Sequence, residues 1–105
     1  MGIWLASASE RRAQILNDRI GTIHVEALQD VDESHPSGPV PNQVLEICRR
    51  KGDAVPSNHG FQGVVVADTM IEDPDDPNVA IGKAEDELSA VSMIKRLSGR
   101  RHQVW

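Results

Sequence analysis

The sequence contains no tyrosine, one phenylalanine and two tryptophans. Trp4, Phe61 and Trp105 are its whole aromatic content, so any core must be built mainly from aliphatic side chains. Cys48 is the only cysteine, which excludes an internal disulfide and suits a reducing, cytoplasmic setting. No apolar run approaches the length of a membrane span, and the N-terminal run is too short and lacks the basic start of a secretory signal. No Asn-x-Ser/Thr acceptor occurs. A basic excess is also missing. Eleven Lys and Arg face sixteen Asp and Glu, for a formal net charge of -5. That balance argues against nucleic-acid binding through a basic face, but a few clustered cations can still hold a small polyanion. At 105 residues, the chain has material for one small domain.

The N-terminal stretch carries the clearest pattern. Ile3 to Ala6 reads as a strand that runs into Ser7 and Ser9, followed by a helix over about Glu10 to Leu16 that opens with Arg11 and Arg12. A helix start exposes backbone N–H groups and a partial positive charge. Serine hydroxyls and arginine forks beside it complete a cradle for an anion, so the expected ligand is phosphorylated. Ala13, Ile15 and Leu16 give this helix a short apolar face, and Gly21 ends it. Thr22 to Ala27 alternates as a second strand, and Asp30 to Pro41 is a loop. Pro41 lies near the start of a second helix, on which Val44, Ile47, Cys48, Lys51 and Val55 recur at helical spacing. Val64 to Ala67 is a continuous apolar run, expected as a strand buried on both faces. Glu72 to Asn78 predicts an exposed acidic hairpin or loop, Val79 to Ile81 a short strand, and Leu88 to Leu97 a helix stopped by Gly99. His102 to Trp105 opens another strand, one that would normally continue and pair. The expectation is a domain incomplete at its C-terminus, or one completed by a second chain.

Asp68 is the strongest single candidate for chemistry. It follows a strand, where open α/β sheets place their ligands, and a carboxylate there can hold a divalent cation or orient a water; the competing reading is a turn cap. Glu33, in Val31-Asp32-Glu33, could share a magnesium ion with a second carboxylate, although such a pair in isolation reads as a solvated loop. Lys51 and Lys83 are by default surface lysines. Gly82-Lys83 is not a P-loop, because Pro77 and Ala84 stand where glycine and a hydroxyl residue are required. Arg100, Arg101 and His102 follow a helix end and favour a structural role. The aspartates at 73, 75 and 76 lack the glycine and distal glutamate of a calcium loop and read as a hydrated turn.

Four blocks in order resemble the Maf family of nucleoside triphosphate pyrophosphatases. Leu5 to Arg12 is similar to the signature opening Leu-Ala-Ser-x-Ser-Pro-Arg-Arg. Val31-Asp32-Glu33 and Ala67-Asp68-Thr69 are similar to its two acidic blocks. Gly82-Lys83 with Leu97-Ser98-Gly99-Arg100 and His102 is similar to its Gly-Lys-Pro and Leu-Ser-Gly-Arg-x-His region. The resemblance implies an α/β fold, a mixed twisted sheet flanked by helices as in inosine triphosphate pyrophosphatases, of which this chain (1–105) is the N-terminal part. It implies cleavage of a nucleoside triphosphate to monophosphate and pyrophosphate with a divalent cation, Mg2+ or Mn2+. By position, Ser7, Ser9, Arg11, Arg12 and Thr69 would bind substrate. Glu33 and Asp68 would hold the metal and activate water, and Lys51 and Lys83 would offset triphosphate charge. The expected partners are a nucleoside triphosphate and either a second copy, as a homodimer, or a complementing chain, without nucleic acid or membrane. The alternative is a nucleotide-binding module without turnover, or half of a split domain. Glu10 and Ala84 replace signature prolines, and the family's second half, rich in Asp-Lys-Ala-Gly and Ile-Gln-Gly, has no counterpart here.

Overall fold

The computed structural model describes residues 2–81 and 87–105. The chain divides into two compact units, residues 1–33 with 48–67 and residues 34–47 with 68–105.

The first unit is a parallel sheet. Strand β1 (Ile3–Leu5) lies between β2 (His24–Val25) and β3 (Gly63–Val65), in the order β2-β1-β3. Leu5 is fully buried, with Trp4 and Ala6 nearly so, which makes the central strand the core of this unit. Because side chains alternate along a strand, Trp4 faces away from Ile3 and Leu5. Its indole N–H donates to the Glu26 carbonyl at 2.9 Å, and its ring meets Phe61 and the imidazoles of His24 and His59 edge-on or tilted. Phe61 in turn stacks on both imidazoles. Two of the three aromatic residues, Trp4 and Phe61, thus cluster with two imidazoles in this unit.

Helix α1 (Glu10–Ile20) connects β1 to β2. It runs a turn longer than the apolar spacing predicts, because Asn17, Asp18 and Arg19 form helix without needing a buried face. Ser9 is the N-cap, its side chain accepting from the Arg12 amide. Gly21, at φ 87°, closes the other end by donating its N–H to Asn17. Ala13 and Leu16 are half-buried, whereas Ile15, expected beside them, is exposed.

β3 corrects a second expectation. It ends at Val65 and its residues are only half-buried. The reason is its place in the sheet: β1 pairs with one side of it, and among the described residues no strand pairs with the other.

In the second unit the first two turns of helix α2 (Val40–Asp53) bury Val40, Gln43 and Ile47, spaced three and four apart as one helix face requires. Val40 and Ile47 pack with Met70, and Val44 and Ala80 flank them. Gln43 is buried because its amide is used structurally, donating to the carbonyls of Gly38 and Asn78 at 2.7 and 2.8 Å. The Val40 amide, which has no partner inside its own helix, donates to the Pro77 carbonyl.

Strands β4 (Ile71–Glu72) and β5 (Ala80–Ile81) form the antiparallel hairpin read from the acidic stretch. The C-terminal segment pairs with β4, through an Ile71–Val104 bridge and reciprocal Met70–Trp105 backbone hydrogen bonds. Helix α3 (Glu87–Leu97) exposes Leu88, Val91 and Ile94 and is followed by Gly99 at φ 69°.

The hairpin turn is not wholly hydrated. Asp73 is buried and accepts from the Arg96 Nε and the Asp75 amide. Arg96 and Arg100 also pair with Asp75. Hydrogen bonding to the Arg96 guanidinium, chiefly, and to the Asp75 amide holds the Asp73 carboxyl below its usual range. Its acceptance of these donors is what makes the burial tolerable.

Candidate functional site

All three strands of the first unit are parallel, so the segments following them leave the sheet at one end. These segments are residues 6–9, 26–33 and 66–67. The order β2-β1-β3 also makes the gap between β1 and β3 the point where the chain switches sides of the central strand. Open α/β sheets place ligands outside the carboxyl ends of strands at such a point. Here the Ala6 amide donates to the Val65 carbonyl at 3.0 Å, fixing the exit of one segment against the other.

The first segment builds the cradle. Ser7 is buried, and its Oγ accepts from the Ser9 amide at 3.2 Å and the Arg12 Nη1 at 3.1 Å. Ser9 Oγ accepts from the Arg12 amide. A serine hydroxyl has two acceptor positions and one donor hydrogen. With both acceptor positions of Ser7 in use, its O–H remains to donate. Arg12 folds back over the start of its own helix, so a guanidinium, a hydroxyl and the helix N-terminus share one place. Donors of this kind match phosphate oxygens. Arg11 is exposed at the same helix end. Glu10 occupies the first turn, where a carboxylate favours the helix dipole.

The second and third segments meet at Lys51. This residue lies in the last turn of α2, and its side chain is only 13% exposed. Nζ donates to the Ala67 carbonyl at 2.8 Å and lies 3.2 Å from Glu33 Oε1. The lysine therefore spans the end of the β3 segment and the acidic loop after β2. Arg50 beside it donates from Nη1 to the Asp32 carbonyl at 3.0 Å, with the Asp32 carboxylate at 3.8 Å. The sequence reading passed over Arg50; its one signal was that consecutive bases, Arg50-Lys51, have consecutive acids, Asp32-Glu33, to meet.

Asp68 follows Ala67 directly and, with the exposed Thr69, belongs to the second unit. Asp68 is half-buried and its Oδ2 is shielded from solvent. Lys83, with Gly82 and Ala84, lies outside the described residues. Thus the first unit brings together Ser7, Ser9 and Arg12, and separately joins Glu33 to Lys51.

A family model described as "Maf-like protein" matches residues 2–105. The chain belongs to the Maf family. Among curated Maf relatives, it is 38% identical over 106 residues to a dTTP/UTP pyrophosphatase of Clostridioides difficile, covering 99% of this chain and 52% of that protein. It is 37% identical to the dTTP/UTP pyrophosphatase of Koribacter versatilis, again over 99% of this chain and 52% of the relative. It is 39% identical to that of Zymomonas mobilis, over 95% of this chain and 48% of the relative. The chain therefore spans about half the length of the curated Maf relatives it matches. The α/β architecture and the four sequence blocks agree with this membership. No helix among the described residues is long and apolar enough to cross a membrane.

Proposed function

We propose that this chain supplies the phosphate-handling part of a nucleoside triphosphate pyrophosphatase site, acting in the cytoplasm on pyrimidine triphosphates of the dTTP and UTP type. The observation that carries the reading is the Ser7–Ser9–Arg12 cradle at the carboxyl end of the central strand. The names of the relatives support the choice of substrate.

In this reading Ser7, Ser9, Arg11 and Arg12 bind phosphate oxygens, and Thr69 positions the substrate. Lys51 exchanges its contact with Glu33 for one with the triphosphate, and Lys83 adds a second cation. A divalent metal, Mg2+ or Mn2+, would be held by Glu33 and Asp68. The donors fit such an ion because they are hard carboxylate oxygens. A cation that arrives on the phosphates needs only one or two protein carboxylates. When bound, the ion supplies charge neutralisation at the phosphoryl group. Asp68 orients the attacking water and takes its proton. Phosphoryl transfer asks little more of a protein than this positioning and electrostatic support.

The chain spans about half the length of these relatives, and the partners in this reading are the nucleotide and a second copy or a complementing chain. Pyrophosphate release from dTTP and UTP with Mg2+, for this chain alone and with a polypeptide carrying the relatives' second half, tests it. The expected result is release that disappears in Asp68→Asn while the far-UV circular dichroism is kept. Near-normal release by a folded Asp68→Asn protein overturns the role of Asp68. Triphosphate binding that never leads to release, in either arm, identifies a binding module instead.

A further inference from the structure

We infer that Arg50 is a positioning residue that fixes the acidic loop and so presents Glu33 to Lys51; the inference rests on the reading of Glu33 and Lys51 as site residues. Residues 26–33 contain no regular structure after β2, and the side chains of Asp32 and Glu33 are 72% and 59% exposed. Packing of those two side chains therefore does little to hold this part of the loop. Two grips from one helix turn act on it. Arg50 takes the Asp32 carbonyl, and Lys51, the next residue, takes the Glu33 carboxylate.

The two grips differ in kind. The Lys51–Glu33 contact joins two flexible side chains, one of them largely solvated, and such pairs set geometry weakly. The Arg50 contact is to main chain. At 3.0 Å to the carbonyl and 3.8 Å to the carboxylate, the hydrogen bond is made to the backbone, and the Asp32 side chain adds only charge. A guanidinium on a backbone carbonyl fixes the peptide itself, and with it the direction in which the following side chain leaves. Arg50 is only 29% exposed, so its own position is limited by its surroundings. Lys51 must release Glu33 for both to act on a triphosphate. A separate tether that keeps Glu33 in place through that exchange is what Arg50 provides.

This assignment separates Arg50 from Asp32, although they form the visible ion pair. Arg50→Ala is expected to weaken binding of dTTP with Mg2+, measured by calorimetry on this chain, about as much as Glu33→Gln does. The double variant Arg50→Ala/Glu33→Gln is expected to be no weaker than Glu33→Gln alone, because Arg50 acts through Glu33. Asp32→Ala keeps the main-chain acceptor and should change the affinity less than twofold. Arg50→Lys should recover part of the loss. In amide 15N relaxation, Arg50→Ala should loosen Asp32 and Glu33, and Asp32→Ala should not.

Independent, multiplying effects of Arg50→Ala and Glu33→Gln overturn the inference, as does an Arg50→Ala chain with wild-type affinity and an unchanged loop. Should the wild-type chain bind no dTTP, the functional reading fails, and the relaxation data alone then decide. A loop loosened by Arg50→Ala but not by Asp32→Ala upholds the tether, and any other pattern rejects it.

Discussion

Ser7→Ala isolates the cradle from the rest of the fold. The substitution removes one oxygen from a buried position and leaves β1 and its pairing intact. Two donors lose their acceptor: the Ser9 amide and Arg12 Nη1. The guanidinium can turn to water, so its loss is small. The amide cannot move, and a neutral hydrogen bond of this kind is worth about 1 kcal/mol. For a domain of this size, a loss of about 1 kcal/mol lowers Tm by roughly 4–8 °C. Binding should suffer more. The Ser7 hydroxyl is read as a donor to a charged phosphate oxygen, an interaction worth about 1.5–3 kcal/mol. That corresponds to a loss of roughly tenfold to a hundredfold in affinity. Thermal unfolding followed by circular dichroism gives the first quantity, and calorimetric titration with inorganic pyrophosphate the second. A Ser7→Ala chain that melts normally and binds pyrophosphate within twofold of wild type refutes the account. A chain that melts early but binds normally makes Ser7 a helix-start brace without ligand contact.

Arg12→Ala keeps the backbone amide that Ser9 caps and removes the guanidinium, so it should chiefly weaken pyrophosphate binding and leave Tm within a few degrees. An unchanged pyrophosphate affinity speaks against the cradle. The Asp73 carboxyl titrates below its ordinary value because of Arg96, so the folded state binds its proton less readily than the unfolded chain does. Its stabilising contribution is complete above the unfolded value near 4 and is lost as pH falls further, through the lowered folded value. Urea unfolding midpoints should therefore drop as pH falls below about 4, and Asp73→Asn should flatten that part of the profile. A mutant that keeps the wild-type acid slope removes Asp73 as its cause.

The elements with a local cause were legible from sequence. Gly21 and Gly99 mark helix ends, and the structure uses both so; Ser7 and Ser9 could each cap the first helix by sequence, and the structure uses Ser9. The spacing on α2 found only part of its face: Ile47 is buried and Val44, Cys48 and Lys51 half-buried, but Val40 and Gln43 complete the buried face and Val55 lies beyond the helix end. Burial was harder to read, because it depends on which strands become neighbours. The apolar run at Val64 to Ala67 reads as doubly covered, yet among the described residues sheet order leaves β3 paired with β1 alone. Asp73 looked like one of three solvated aspartates, and its burial depends on Arg96, 23 residues away. The aromatic cluster also needs three distant segments at once, around Trp4, His24 and Phe61.

The candidate site divides along the same line. Ser7, Ser9 and Arg12 lie within one strand-to-helix turn, where residue order sets hydrogen-bonding distance, so their grouping could be read before any fold was known. Glu33 and Lys51 are eighteen positions apart and meet only because β2 and β3 are parallel and α2 runs between them. The resemblance supplied those two residues, but it did not supply the reason they meet. That reason is topological: parallel strands deliver the segments after β2 and β3 to one end of a sheet, and Lys51 in the last turn of α2 contacts both of them. Arg50 is the residue this view adds. Its value lies in which backbone carbonyl it reaches. A sequence motif records side chains and is blind to that carbonyl, so residues of this class are to be sought where a helix turn and an irregular loop share consecutive contacts.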